Sequence, residues 1–359
     1  MAVRVSSPGK LFLAGEYAVV EAGYPAVIAA VSQRLYVTIT ESEVGVIHSS
    51  QQENLWLKWS RVGNQLVAAS VHPYSLVLAA MQVAEDYLRV RGQQAFPTYS
   101  LQITSDLDDK GSGVKYGLGS SGAVTVAVIK GVLQFFGELV SPLRLYQLAV
   151  IAQMRLQMTG SFGDLAASSF GGLIGYYSLD RQWLREAMGS YSLQELLAIP
   201  WPSLQIIPLS LPKGLDLLIG WTGRAASTEQ LVDQVQGNRS KDQQEAAFQT
   251  FLKQSKSCVE GLISSLQEQD AASVQAALRR NRLLLQNLAQ QQALCIETPA
   301  LTKLCDIAEG HGAAAKSSGA GGGDCGICLL DAPEMRQALL TAWQRDGIQP
   351  LDIGIAYEE

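Results

Sequence analysis

The sequence predicts an α+β chain folded as two domains, residues 1–200 and 201–359. A length of 359 residues exceeds what one hydrophobic core ordinarily organises. Strand-like alternation and helical spacing succeed each other through the first half. Near residue 200 the texture changes: Pro200, Pro202, Pro208 and Pro212 punctuate short strands, and two long helical stretches follow. Such alternation, with long helices to one side, suggests an α/β sandwich in each half. No internal repeat is visible. Apolar residues make up 47% and charged residues 17%, which allows a sizeable core and argues against disorder.

In chain order, residues 8–17 read as a strand that must turn at Gly15. Leu35, Val37 and Ile39 alternate with polar neighbours as a strand does, and residues 99–104 repeat the pattern. Between them residues 74–91 carry helical spacing and stop at Gly92, a C-terminal glycine. Residues 106–114 form a polar loop. Its aspartates Asp106, Asp108 and Asp109 read as a solvated lid, since a hard cation needs an ordered oxygen cage. Ser141 and Pro142 supply an N-cap and a first-turn proline to a helix ending near Met158. Residues 171–179 and 215–221 read as strands, and residues 241–267 and 271–290 as helices. Thr298 and Pro299 open a further helix that Gly310 closes. The last helix covers residues 333–345 with Gly347 behind it, flanked by strands at 327–330 and 353–357.

The net charge of −6 argues against a general nucleic-acid binder. No secretory signal is visible at the start, and no window approaches the ~20 apolar residues of a membrane helix. A cytoplasmic protein is therefore expected. Five cysteines suggest reduced thiols rather than a disulfide framework. Cys325 and Cys328 have half-zinc-site spacing, but in a strand residues three apart face opposite sides.

The stretch richest in chemistry is Lys115-Tyr-Gly-Leu-Gly-Ser-Ser-Gly-Ala123, which enters an apolar helical segment. Its glycines allow close backbone approach, and the first N–H groups of the helix point at any arriving anion. Ser120 and Ser121 add donors or a magnesium ligand. No Lys-Ser or Lys-Thr pair closes the loop, so it is not a Walker A sequence. Pro8-Gly-Lys-Leu-Phe-Leu-Ala-Gly-Glu-Tyr17, Gly160-Ser-Phe-Gly-Asp-Leu-Ala166 and Lys316-Ser-Ser-Gly-Ala-Gly-Gly-Gly-Asp-Cys-Gly326 are three further loops of this kind. Four such loops in one chain ask for a shared site. Taken alone, Lys10 reads as a solvated strand lysine, Asp164 as a helix N-cap, and Tyr17 and Trp221 either as packing or as ligand contacts.

Together these runs resemble the GHMP kinases. Residues 8–17 resemble the first motif of that family, 117–123 the second and 317–326 the third, in order and across the whole chain. The resemblance implies a ribosomal protein S5 domain 2-like, nucleotide-binding first half and a ferredoxin-like α/β sandwich that closes over the acceptor. It also implies ATP and Mg²⁺. Similarity is greatest to bacterial members acting on (R)-5-phosphomevalonate, whose product is the 5-diphosphate of the mevalonate pathway to isoprenoids. Mevalonate kinase, another small-molecule kinase of the family, or a non-catalytic ligand sensor are the alternatives, and the chain is expected as a monomer or homodimer.

Carried over residue by residue, the resemblance makes Lys10 and Asp164 catalytic. It gives the nucleotide phosphates to Lys115, Gly117, Leu118, Gly119, Ser120, Ser121, Gly122 and Ala123, with Ser121 as magnesium ligand. It gives the acceptor to Lys10, Glu16, Tyr17, Lys115, Ser161, Ser227, Thr228, Ser318, Gly319, Ala320 and Gly321. One departure stands out. Mevalonate kinase carries an acidic magnesium ligand on the helix ahead of the catalytic aspartate, whereas this chain has Gln153 there and no acid between Leu139 and Gly163. A phosphomonoester acceptor is already largely ionised at neutral pH, its second pKa being near ~6. Asp164 then orients Lys10 and the acceptor and need not deprotonate anything.

Overall fold

The computed structural model describes residues 2–52, 55–68, 72–109, 114–223 and 241–357. In chain order the first part contains β1 (Ala2–Ala14), β2 (Pro25–Glu41), β3 (Gly45–Ser49), β4 (Trp56–Val62), β5 (Gln65–Ala68), α1 (Ser75–Val90) and β6 (Tyr99–Ser105). There follow α2 (Ser120–Phe135), α3 (Pro142–Arg155), α4 (Gly163–Phe170), β7 (Leu173–Tyr177), α5 (Arg181–Ser190), α6 (Leu193–Ala198) and β8 (Gln205–Leu209). The second part contains β9 (Asp216–Trp221), α7 (Lys241–Gln267), α8 (Ala271–Gln292), α9 (Pro299–Gly310), β10 (Ala314–Ser317), β11 (Cys325–Leu330), α10 (Arg336–Arg345) and β12 (Gln349–Leu351).

The first sheet has the order β5-β4-β3-β6-β2-β7-β8, with β1 added along β2. All its pairs are antiparallel except β3 with β6. Helices α1 to α4 pack on one another, and α2 and α4 lie against β1 and β2. The inward apolar residues of the strands, among them Val37, Ile39 and Ile28, meet Val126, Ile129 and Leu165 of these helices in one core. The second sheet, β10-β11-β9-β12, is antiparallel throughout. A smaller core of Leu304, Leu339, Trp343 and Ile348 joins it to α9 and α10.

Local sequence explains the helix ends. The Ser141 hydroxyl accepts from the Arg144 N–H with Pro142 at the first position, and Thr298 does the same for Leu301 ahead of Pro299. Ser192 and Glu195 form a reciprocal capping box on α6. The final helix begins later than its sequence suggests, because residues Pro333–Met335 form a 3-10 turn before α10.

Two assignments are corrected. Strand β8 lies beyond the boundary expected at residue 200, yet it pairs with β7 in the first sheet. Pro208 is tolerated there because β8 is the outermost strand on that side and one edge needs no donors. Residues 353–357 do not form a strand of the second sheet. They return to the first, where Ile355 bridges Val31 and the Ala356 N–H donates to Ala30 O at 2.9 Å. Among the described residues no helix is long and apolar enough to cross a membrane.

Candidate active site

The site starts from an irregularity in β1. The pairing register with β2 shifts between Pro8 and Lys10, where proline offers no N–H to the ladder. Freed from the ladder, the Lys10 N–H donates to Leu118 O at 2.8 Å, and its Nζ donates to Gly117 O at 3.1 Å. The lysine thus lies along the glycine loop that opens α2. Gly119 is the N-cap of that helix, in the left-handed region at φ 77°, and having no side chain it cannot itself cap the first N–H groups. A Cβ at Gly119 would stand 2.9 Å from Lys10 Cε, so only glycine lets the lysine cross there.

Asp164 approaches from the other side. It occupies the first turn of α4, whose N-cap is Phe162, so the N-cap reading of this aspartate is set aside. A Cβ at Gly122 would lie 2.6 Å from Asp164 Oδ2. Burial holds the Lys10 ammonium below the ordinary lysine range, and the charges of Asp164 and Asp324 oppose that shift. Burial likewise pushes the Asp164 carboxyl above the usual carboxylate range, against Lys10 and the N–H groups that begin α4. Ser161 supports α4: its Oγ accepts from the Gly163 N–H at 3.3 Å, and its carbonyl accepts from Tyr176 Oη at 2.5 Å.

Lys115, Ser120 and Ser121 face a cleft of about 240 Å³, walled by Leu35, Tyr74 and Ile103. Sequence reasoning missed those walls, since the residues come from separate strands and a helix and share no spacing.

The third glycine loop, between β10 and β11, is tied to β1 and the turn after it. The Phe12 N–H donates to Ser318 Oγ at 2.9 Å, and that hydroxyl donates back to Phe12 O at 3.0 Å. The Gly319 N–H donates to Glu16 Oε1 at 3.3 Å, and Tyr17 Oη donates to Ala320 O at 2.5 Å. Burial, with Glu16 beside it, pushes the Tyr17 phenol up to about 12, so it remains a donor. Gly321 stands against Ile296. Glu16, expected at the acceptor, instead turns inward: it is 3% exposed and pairs with the fully buried Lys316, because a buried carboxylate needs a counter-charge.

Two contributors went unread in the sequence. Asp324, at φ 55°, sets its carboxylate against Gly117 and supports the charge on Lys10. Lys316 is the other; a charged residue at each end of a glycine run was the available signal. Trp221 packs edge-on against Tyr116 with ring centroids 5.0 Å apart, next to Cys325, whose S–H donates to Tyr116 O at 3.2 Å. Cys325 and Cys328 are both buried in β11. Gln153 is also buried, its amide donating to Thr125 Oγ1 at 3.3 Å. Ser227 and Thr228 lie outside the described residues.

The turns near residues 10, 118, 164 and 320 therefore meet in one place, with a cation between two carboxylates beside an open helix N-terminus. Comparison with known proteins agrees. The profile of the GHMP kinases N terminal domain matches residues 75–172, and that of the GHMP kinases C terminal region matches residues 262–349. The chain is 38% identical to a phosphomevalonate kinase of Streptomyces sp. (strain CL190), over 98% of this chain and 96% of that protein. The fold is similar to that of the Lin0012 protein from Listeria innocua, with TM-score 0.89 and 33% identity over 99% of this chain and 98% of the other. It is also similar to Streptococcus pneumoniae phosphomevalonate kinase in complex with phosphomevalonate and AMPPNP, with TM-score 0.83 and 31% identity over 98% and 99% of the two chains. On the profiles, the identity and the site together, the chain belongs to the GHMP kinase family.

Proposed function

We propose that this chain transfers the γ-phosphoryl group of ATP to (R)-5-phosphomevalonate, forming (R)-5-diphosphomevalonate for isoprenoid synthesis. The observation that carries the reading is the meeting of Lys10, Asp164 and the uncapped start of α2. The first half would hold the nucleotide, its phosphates on the α2 N–H groups and its base toward the cleft beside Lys115. The third loop, carried by the second sheet, would close over the acceptor.

Phosphoryl transfer asks little covalent work of a protein; positioning and charge neutralisation carry it. Lys10 would sit between donor and acceptor oxygens and offset the charge that gathers there. Asp164 would hold Lys10 in place and keep it protonated. Ser121 and Asp164 offer the hard oxygen donors that suit Mg²⁺, held mainly by phosphate oxygens and water. When bound, that ion neutralises charge on the nucleotide phosphates.

The nearest rival is phosphorylation of mevalonate itself. Gln153 speaks against it, since this buried amide bonds Thr125 at a place where the alcohol kinase carries an acid. An assay coupled to ADP release, offering mevalonate and phosphomevalonate in parallel, tests the reading. Turnover confined to the phosphomonoester is expected; turnover of mevalonate alone rejects it.

A further inference from the structure

We infer that Glu16 and Lys316 act as one positioning pair, whose buried contact sets the third glycine loop against the Lys10-bearing strand and so aligns the acceptor. The inference rests on the kinase reading above. Glu16 follows the turn at the end of β1, and Lys316 lies in β10, 300 positions away. Their side chains are 3% and 0% exposed, so neither is a catalytic residue that touches substrate. Glu16 Oε1 receives both Lys316 Nζ and the Gly319 N–H. Lys316 Nζ also donates to Ser317 O at 2.5 Å. With the Ser318 and Tyr17 contacts, residues 316–320 are stitched to residues 12–17. Phe12, which holds Ser318 on both its N–H and its carbonyl, stands two residues from Lys10. The far end of the loop is fixed at Asp324 against Gly117.

Stability alone gives a poor account of the pair. Two buried charges are often replaced by apolar residues without loss, and here Glu16 Oε2 is buried with no hydrogen-bond partner among the described residues. What an apolar contact would not supply is direction. The ammonium bonds one carboxylate oxygen and one main-chain carbonyl at once, which fixes how far the loop stands from β1. A reacting geometry displaced by about 1 Å costs on the order of 10²-fold in rate. The pair is thus suited to holding that distance.

The test uses the full chain carrying E16Q, K316M, E16Q/K316M or E16D, with kcat, both KM values, AMPPNP affinity and thermal melting measured for each. The single neutral variants leave a buried charge alone and melt lower. The double variant is expected to regain melting yet keep a kcat loss of about 30-fold or more, while AMPPNP affinity stays within about twofold, because the nucleotide loop is untouched. E16D keeps the charge but shortens the reach; it is expected to melt near wild type with kcat down about fivefold or more. A double variant or E16D with wild-type kcat overturns the inference, as does a loss shared equally by AMPPNP affinity. A wild-type chain inactive on every acceptor overturns the kinase reading and this inference with it. An active wild type beside an equally active double variant overturns this inference alone.

Discussion

Gly122 and Asp164 are so close that a Cβ on the glycine would lie 2.6 Å from the carboxylate Oδ2. The aspartate occupies the space that a side chain on α2 would take. Alanine is favoured over glycine inside a helix by about 1 kcal/mol. Gly122→Ala forgoes that gain, because the added methyl overpacks against the buried Asp164 side chain, so melting should fall while the carboxylate is displaced. Steady-state kinetics should show kcat lower by on the order of 10-fold or more. Unchanged kcat would remove Asp164 from the working site.

Removal of the Lys10 charge should be costly. Lys10→Met is expected to lower kcat by about 10²–10³-fold, the usual effect of deleting one preorganised electrostatic contact. Nucleotide affinity, read by AMPPNP titration, should change far less. A loss confined to affinity would make Lys10 a simple anchor.

The pH dependence follows from burial. Lys10 must be protonated to act, and its pKa is held below 10.5, so the rate should fall on the alkaline side earlier than for a free lysine. Asp164 must be ionised, and its pKa is raised, so the rate should also fall as pH drops through that raised value. Ionisation of the acceptor phosphate near ~6 adds to the acidic limb. Lys10→Arg, which stays charged, should lower the rate but flatten the alkaline limb. A pH–rate profile of both proteins checks this.

Asp164→Asn separates positioning from proton removal. General-base catalysis contributes about 10²–10⁴-fold. With an acceptor that is already ionised, the variant should lose less than the same change in an alcohol-phosphorylating relative measured alongside. Equal losses would assign proton abstraction to Asp164.

Tyr17→Phe deletes the 2.5 Å bond to Ala320 O, worth about 1 kcal/mol. The acceptor KM should rise by about fivefold with kcat nearly kept. A change in nucleotide affinity instead would place Tyr17 on the wrong side of the site.

What was legible in the sequence was mostly local. Ser141 with Pro142 and Thr298 with Pro299 mark helix starts because a cap and its helix are neighbours in the chain. The glycine run at 117–122 announces close backbone approach for the same reason. Pairings over long distances were not legible. Pro208 in β8 looks like a break until β8 is seen to lie at an edge, and Glu16 looks like a ligand contact until Lys316 arrives from β10. Asp324 reads as one more loop carboxylate, since nothing nearby in sequence places it against Gly117.

The strap formed near Ile355 has a consequence for how the molecule is made. Gly354 donates to the Ser32 hydroxyl, 322 positions earlier, and Ala356 accepts the Gly172 N–H at 2.6 Å. The sheet that carries Lys10 is therefore fastened by residues translated long after it. A ribosome would have to add 322 residues after Ser32 before this fastening could form, and long-range closures of this sort are slow. Co-expressing the two halves as separate fragments would have to recreate that strap between molecules, which makes the protein a poor subject for splitting at residue 200.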